Sequence, residues 1–215
     1  MTRRALLWAG AALCAGLFLA DAVAIHEHWL RALDEHMLKA WRRSDARHAL
    51  IGPPWALKAV VGITTMGAGV TRAPLTIAAV LVLALRGRGQ QAALLGGTVA
   101  AGAVALPLLK LCFDRPRPDF LWHLVTENSW SFPSGHAMGS MILYPLLGGI
   151  AGATRGHGRA VALAGLGVAL SLAVGATRVM LGVHWVSDVI GGWLIGAAFL
   201  CAALAIATPK DRRRS

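Results

Sequence analysis

The sequence predicts an all-α integral membrane protein of six transmembrane helices, with an amphipathic extracytoplasmic helix between the first and the second. Three observations carry this. Of the 215 residues 56% are hydrophobic and 14% are charged, whereas soluble domains hold about 25% charged residues. Apolar runs recur between charged boundaries at the length of about 20 residues that a helix needs to cross a bilayer. Most of the net positive charge then falls on one side of the resulting topology.

The first helix covers 5–25, interrupted near its end by Asp21. Arg3-Arg4, the apolar run and Ala22-Val23-Ala24 also have the shape of a secretory signal with a small-residue cleavage site. The run is long for a signal and unbroken to Ala20, which favours a retained helix. Across 26–48, Leu30, Leu33, Met37, Leu38 and Trp41 fall at helical spacing opposite His28, Glu35, Lys39, Arg42 and Arg43. Such a pattern fits a helix lying on the membrane surface or a solvated connecting helix. Asp34 is off the pattern, on the apolar side. The second span lies within 55–85, where Arg72 is expected to snorkel to the interface and Pro74 to sit in or near the first turn, where proline is tolerated. Gly62, Gly67 and Gly69 mark 59–70 as an interfacial or kinked stretch. The remaining spans are 89–109, 137–154, 160–177 and 189–209. The chain is expected to form one transmembrane domain over 1–215, with a motif-bearing core at 105–207.

Six helices put both termini on one side. Its loops (1–4, 86–91, 155–159, 210–215) hold Arg3, Arg4, Arg86, Arg88, Arg155, Arg159, Lys210, Arg212, Arg213 and Arg214 against Asp211, or +9 of the total +11. Short loops rich in Lys and Arg stay cytoplasmic, so both termini are expected inside and the ends of helices three to six meet outside. The basic pI is thereby a topology signal, and no nucleic-acid partner is needed to explain it. Disorder is excluded by the apolar content. A disulfide scaffold is excluded by the wide spacing of Cys14, Cys112 and Cys201. The Ala-, Arg- and Gly-rich usage points to a bacterial cell (inner, cytoplasmic) membrane.

On the outer face four helix ends carry ionisable residues, which are costly to desolvate at a membrane boundary and mark a functional site. The third helix ends at Lys110 and runs into Asp114-Arg115-Pro116-Arg117-Pro118-Asp119; the fourth opens at Pro133-Ser134-Gly135-His136. The fifth ends at Thr177-Arg178, and the sixth begins near His184-Trp185-Val186-Ser187-Asp188. Lys110, Arg117 and Arg178 suit phosphoryl oxygens, arginine through paired hydrogen bonds and lysine as a point charge. Ser134 and Gly135 open a helix, where free backbone N–H groups favour an anion. His184 and Asp188 are four apart, so on a helix they share a face, and the carboxylate can hold the imidazole in one tautomer. His136 is a second titratable group, suited to protonating a leaving oxygen. Singly, each signal also fits a bland role: a snorkelling cation, a structural His–Asp pair, a turn with an N-cap, or a stiff basic loop at Arg115-Pro116-Arg117-Pro118.

Together they resemble a family. Lys110, six residues, Arg117-Pro118; then Pro133-Ser134-Gly135-His136; then Arg178, five residues, His184, three residues, Asp188: this is similar to the three-part signature of the type 2 phosphatidic acid phosphatase superfamily, in its membrane-integral lipid phosphatase branch. One departure is Thr177, where the family usually has Ser; Thr keeps the hydroxyl. The resemblance implies that His184 attacks phosphorus to form a phosphohistidine, that Asp188 supports it, and that His136 protonates the departing alkoxide. Lys110, Arg117, Ser134, Gly135 and Arg178 would hold the phosphate. It implies no metal and no cofactor, the cationic cluster supplying positive charge where charge develops.

The expected activity is hydrolysis of a membrane lipid phosphate or diphosphate, of the undecaprenyl diphosphate, phosphatidylglycerol phosphate or phosphatidic acid type, on the extracytoplasmic face. Two alternatives are a lipid phosphotransferase using the same phosphohistidine and a transporter of phosphorylated lipids. A zinc site at His26-Glu27-His28 fails the HExxH pattern because position 30 is Leu30. Ser134 lacks the G-x-S-x-G elbow of a serine hydrolase. Lys58 reads as an interfacial snorkel, and Trp29, Trp41, Trp55, Trp122, Trp130 and Trp185 as an aromatic belt.

Overall fold

The computed structural model describes residues 1–43 and 46–209. Helix α1 (Arg3–His26) is opened by Thr2, whose hydroxyl accepts from the Ala5 N–H at 3.2 Å. Leu6, Leu13, Leu17 and Leu19 on its surface are exposed, as lipid contact requires, whereas Phe18 and Ala22 are buried. Phe18 stacks on Phe132 with ring centroids 5.3 Å apart, and Phe113 meets both edge-on.

The segment after α1 departs from the sequence expectation. A short helix, α2 (Arg31–Lys39), gives way to an antiparallel hairpin of β1 (Arg42–Arg43) and β2 (Ala46–Leu50). The fold is therefore helical with one small β ribbon, not purely α. The segment is also more than a surface helix: Leu38 and Asp34 are buried where α2 packs on later helices. Arg42, expected on the polar face, is 7% exposed and donates to the carbonyls of Met180 (2.7 Å) and Trp122 (2.6 Å). Trp29 and Trp55 remain exposed.

The 55–85 stretch is two helices, α3 (Ala56–Gly67) and α4 (Gly69–Leu85), bent by 47° at Ala68, whose backbone is extended. Lys58 is exposed. Pro74 lies just past the first turn of α4. Arg72 does not snorkel outward; its Nε donates to Gly67 O, freed by the break, at 2.9 Å, and Nη2 reaches Gly135 O. Gly67 packs directly against His136: a Cβ there would lie 2.9 Å from His136 Cδ2 and 2.3 Å from Val174.

Helices α5 (Gly89–Phe113), α6 (Gly135–Ala153), α7 (His157–Met180) and α8 (Val186–Ala207) complete the bundle. Helix α6 is its axis, with α3, α4, α5, α7 and α8 packed around it. Small residues allow this close approach; a Cβ at Gly148 would lie 2.3 Å from Leu163 O. Leu95, Leu143, Leu146 and Ile150 form the main apolar core. Among the described residues four helices, α1, α5, α7 and α8, are each long and apolar enough to cross a membrane, and the bent α3–α4 pair passes together. Arg88 Nη2 donates to Ile150 O at 3.1 Å, which puts the α4–α5 turn beside the far end of α6. Lys210, Asp211, Arg212, Arg213 and Arg214, used above for topology, lie outside the described residues.

Candidate active site

Helix α5 ends at Asp114 in the left-handed region (φ 34°), and the chain turns sharply into Arg115-Pro116-Arg117-Pro118. The helix runs far enough to hold Lys110 in its last turn, as α7 holds Arg178. Ser134 caps α6 and Trp185 caps α8, both with extended backbone. His184 consequently precedes α8 and does not share a helix face with Asp188, as the four-residue spacing had implied. The extended Trp185 folds His184 back over the first turn, and the pair still meets: Nδ1 lies 3.3 Å from Asp188 Oδ2.

His184 is 1% exposed and Asp188 wholly buried. Asp188 Oδ2 also accepts from the Trp185 N–H at 2.9 Å and from the Ser131 hydroxyl, and Oδ1 accepts from Arg115 at 2.6 Å. With its lone pairs so occupied, the carboxylate is fixed in orientation. On the other side of the ring, Arg117 Nη1 lies 3.1 Å from His184 Nε2. A guanidinium can only donate. Nε2 must therefore accept, and the ring proton sits on Nδ1, toward Asp188. Burial, with Arg117 and Arg178 nearby, outweighs Asp188 and holds the His184 pKa down at about 3. The imidazole is neutral at physiological pH, with a lone pair on Nε2 aimed into the cationic cluster.

That cluster is assembled from every predicted phosphate-binding element. Arg117 Nε donates to Ser129 O at 2.6 Å, and burial lowers its pKa without discharging it. Lys110 Nζ donates to Ser129 Oγ at 3.2 Å and to Trp130 O. Arg178, 2% exposed, bonds Thr64 at 3.1 Å and the Glu127 carboxylate; its Nε has no partner among the described residues. Glu127 also pairs with Arg117 at 3.7 Å. Ser134 is fully buried and its Oγ has no partner among the described residues, so it is not a side-chain N-cap. Such an orphaned hydroxyl is costly unless a ligand completes it. The N–H groups of Gly135 and His136 open α6 without intrahelical acceptors, as helix starts do. His136 lies in electrostatic range of His184, Arg178 and Arg117. Thr177 turns its hydroxyl to Val174 O, on its own helix.

Arg115, Ser131, Glu127 and Thr64 carry no individual signal in the sequence, and Arg72 is read there only as a snorkelling cation. Arg115 read as a stiff basic loop; only its place in the charged run signalled it. Asp34 was visible as an off-pattern acid, but nothing in the sequence pointed to its partners.

Membrane-length helices whose ends gather a buried His–Asp pair and three cations have the layout of a membrane enzyme. The sequence profile of the PAP2 superfamily matches residues 91–212, and the chain belongs to that superfamily as a PAP2-type phosphatase. It is 32% identical over 184 residues to phosphatidylglycerophosphatase B of Bacillus subtilis (strain 168), covering 83% of this chain and 85% of the relative. The crystal structure of a transmembrane PAP2 type phosphatidylglycerolphosphate phosphatase from Bacillus subtilis superimposes with a TM-score of 0.81 at 29% identity, over 95% of this chain and 98% of that one.

Proposed function

We infer that this enzyme hydrolyses a lipid phosphate through a phosphohistidine on His184, at the extracytoplasmic face of a bacterial cytoplasmic membrane. Six spans are inferred, α6 being the sixth beside the four apolar helices and the bent pair; both termini are then cytoplasmic. The relative's activity makes phosphatidylglycerol phosphate the first candidate substrate, ahead of phosphatidic acid and undecaprenyl diphosphate. The observation that carries the reading is the polarity of His184, with Nδ1 held by Asp188 and Nε2 turned to Arg117.

Arg117, Arg178, Lys110, Ser134 Oγ and the first amides of α6 hold the phosphoryl oxygens, with Glu127 yielding its two arginines to them. His184 Nε2 attacks phosphorus; the N–P bond forms as the P–O bond to the lipid alkoxide breaks. His136 gives its proton to the alkoxide. A bound phosphate dianion offsets the cations around His136 and favours its protonated form. His136 then takes a proton from water, whose oxygen displaces His184 and releases phosphate. Asp188 stabilises the positive charge on the ring in the intermediate, and the arginines stabilise the charge spread over the phosphoryl oxygens.

Phosphate release by detergent-purified protein in excess EDTA tests this on phosphatidylglycerol phosphate, phosphatidic acid, undecaprenyl diphosphate and a soluble phosphomonoester. Release that survives chelation and vanishes in His184→Ala is expected. No release from any lipid by folded protein would overturn the reading.

A further inference from the structure

Behind the His184–Asp188 pair lies a buried chain of charge that these steps do not use. Asp34 of α2 is 1% exposed. Its carboxylate accepts from the Ser187 N–H at 3.0 Å and from Ser187 Oγ at 2.9 and 2.7 Å. Arg115 donates from Nη2 to Asp34 Oδ2 at 2.7 Å, and from Nη1 to Asp188 Oδ1 at 2.6 Å and Ser187 Oγ at 2.8 Å. Its guanidinium also lies 5.7 Å from the Trp185 ring centroid. Ser187 Oγ accepts from Arg115, so its one proton goes to Asp34. Outward from the neutral imidazole come Asp188, Arg115 and Asp34, with alternating sign.

The sum of these charges matters at His184. Asp188, 3.3 Å from Nδ1, is the charge nearest the imidazole, and Arg115 on its far side offsets part of its field. Asp34 gives the guanidinium a second carboxylate, and the group of three then carries one net negative charge behind the ring. In a buried site such a charge is weakly screened. It becomes most valuable when His184 turns cationic on taking up phosphorus. Because this rests on the phosphohistidine reading above, its test includes a control for that reading.

We propose that Asp34 is a positioning residue for the reaction: through Arg115 it fixes Asp188 and leaves a net negative charge behind the nucleophilic imidazole, and through Ser187 it pins the first turn of α8. It comes from α2, outside the residues 91–212 that the family profile matches. A purely structural alternative makes Asp34 a clamp docking α2 on α8. Asp34→Asn separates the two, since it keeps the shape and an acceptor for the Ser187 N–H but loses the charge and the second oxygen that Arg115 uses.

The test compares wild type, Asp34→Asn and His184→Ala in steady-state phosphate release from phosphatidylglycerol phosphate in detergent micelles, with thermal unfolding of each. Asp34→Asn is expected to lower kcat about tenfold, the scale on which outer-shell carboxylates act behind metal-bound histidines, with KM unchanged because the phosphate cradle is intact. A wild-type kcat in Asp34→Asn, whatever its melting temperature, overturns the proposal. So does a raised KM at constant kcat. If Asp34→Asn does not fold, Arg115→Lys carries the same comparison: it keeps the charge and loses the fork between the two carboxylates, so a kcat loss at constant KM supports the proposal and a wild-type kcat overturns it. Turnover by His184→Ala would instead refute the phosphohistidine reading itself.

Discussion

Arg117 and His184 face each other across 3.1 Å, guanidinium Nη1 to imidazole Nε2. The contact fixes the histidine's tautomer and places a guanidinium against its Nε2 lone pair. Arg117→Lys, which keeps the charge and loses the planar fork, is therefore expected to raise KM and lower kcat together, as steady-state kinetics would show. An unchanged kcat would mean that Arg117 contributes charge alone.

Asp188→Asn removes the charge that supports His184 and leaves the packing in place. The rate is expected to fall severely, by about 10⁴-fold where the comparable aspartate of a hydrolytic triad is changed. An unchanged rate in phosphate release would make the pair merely structural.

The pH dependence of stability follows from His184. Its pKa falls from an ordinary 6.5 to about 3 in the fold, through burial first and through Arg117 and Arg178, against the opposing effect of Asp188. Between those values the unfolded chain binds a proton that the folded one does not, so stability rises with pH. The contribution is fully present above pH 6.5 and is progressively lost as pH falls toward 3. Thermal unfolding of wild type should accordingly weaken on acidification more steeply than that of His184→Gln. Equal slopes would contradict the assignment of a buried neutral imidazole.

Lys58 is exposed, whereas Arg178 is buried against Thr64 and Glu127. Lys58→Ala should keep wild-type turnover in the phosphate-release assay, and Arg178→Ala should lose it. Comparable losses would put the site elsewhere.

Glu127 holds the two arginines assigned to the phosphoryl group. Its carboxylate competes with phosphate for them, so Glu127→Gln should tighten inhibition by inorganic phosphate. A weaker inhibition, measured as a higher inhibition constant, would show that Glu127 orients the arginines instead of competing.

How much of this was legible in the sequence depended on range. The long helices were legible because lipid contact demands uninterrupted apolar runs, and the motif residues Lys110, Arg117, Ser134, Arg178 and His184 do converge. The His184–Asp188 pairing was legible, though its geometry was not: spacing alone cannot reveal that Trp185 is extended. The hairpin was hidden because β1 has only two residues, too short for any alternation. Asp34 broke the amphipathic pattern for a reason lying 153 residues away at Ser187, and no local rule reaches that far. Glu127 and Ser131 belong to a loop whose course is set by tertiary contact.

The most direct measurement is a rapid alkaline quench of the enzyme turning over ³²P-labelled phosphatidylglycerol phosphate, with the labelled chain mapped by mass spectrometry. The account predicts an acid-labile, alkali-stable label on His184 of the wild-type chain, absent from a folded and inactive His184→Ala. A label on another residue, or turnover by His184→Ala at the wild-type rate, would contradict it.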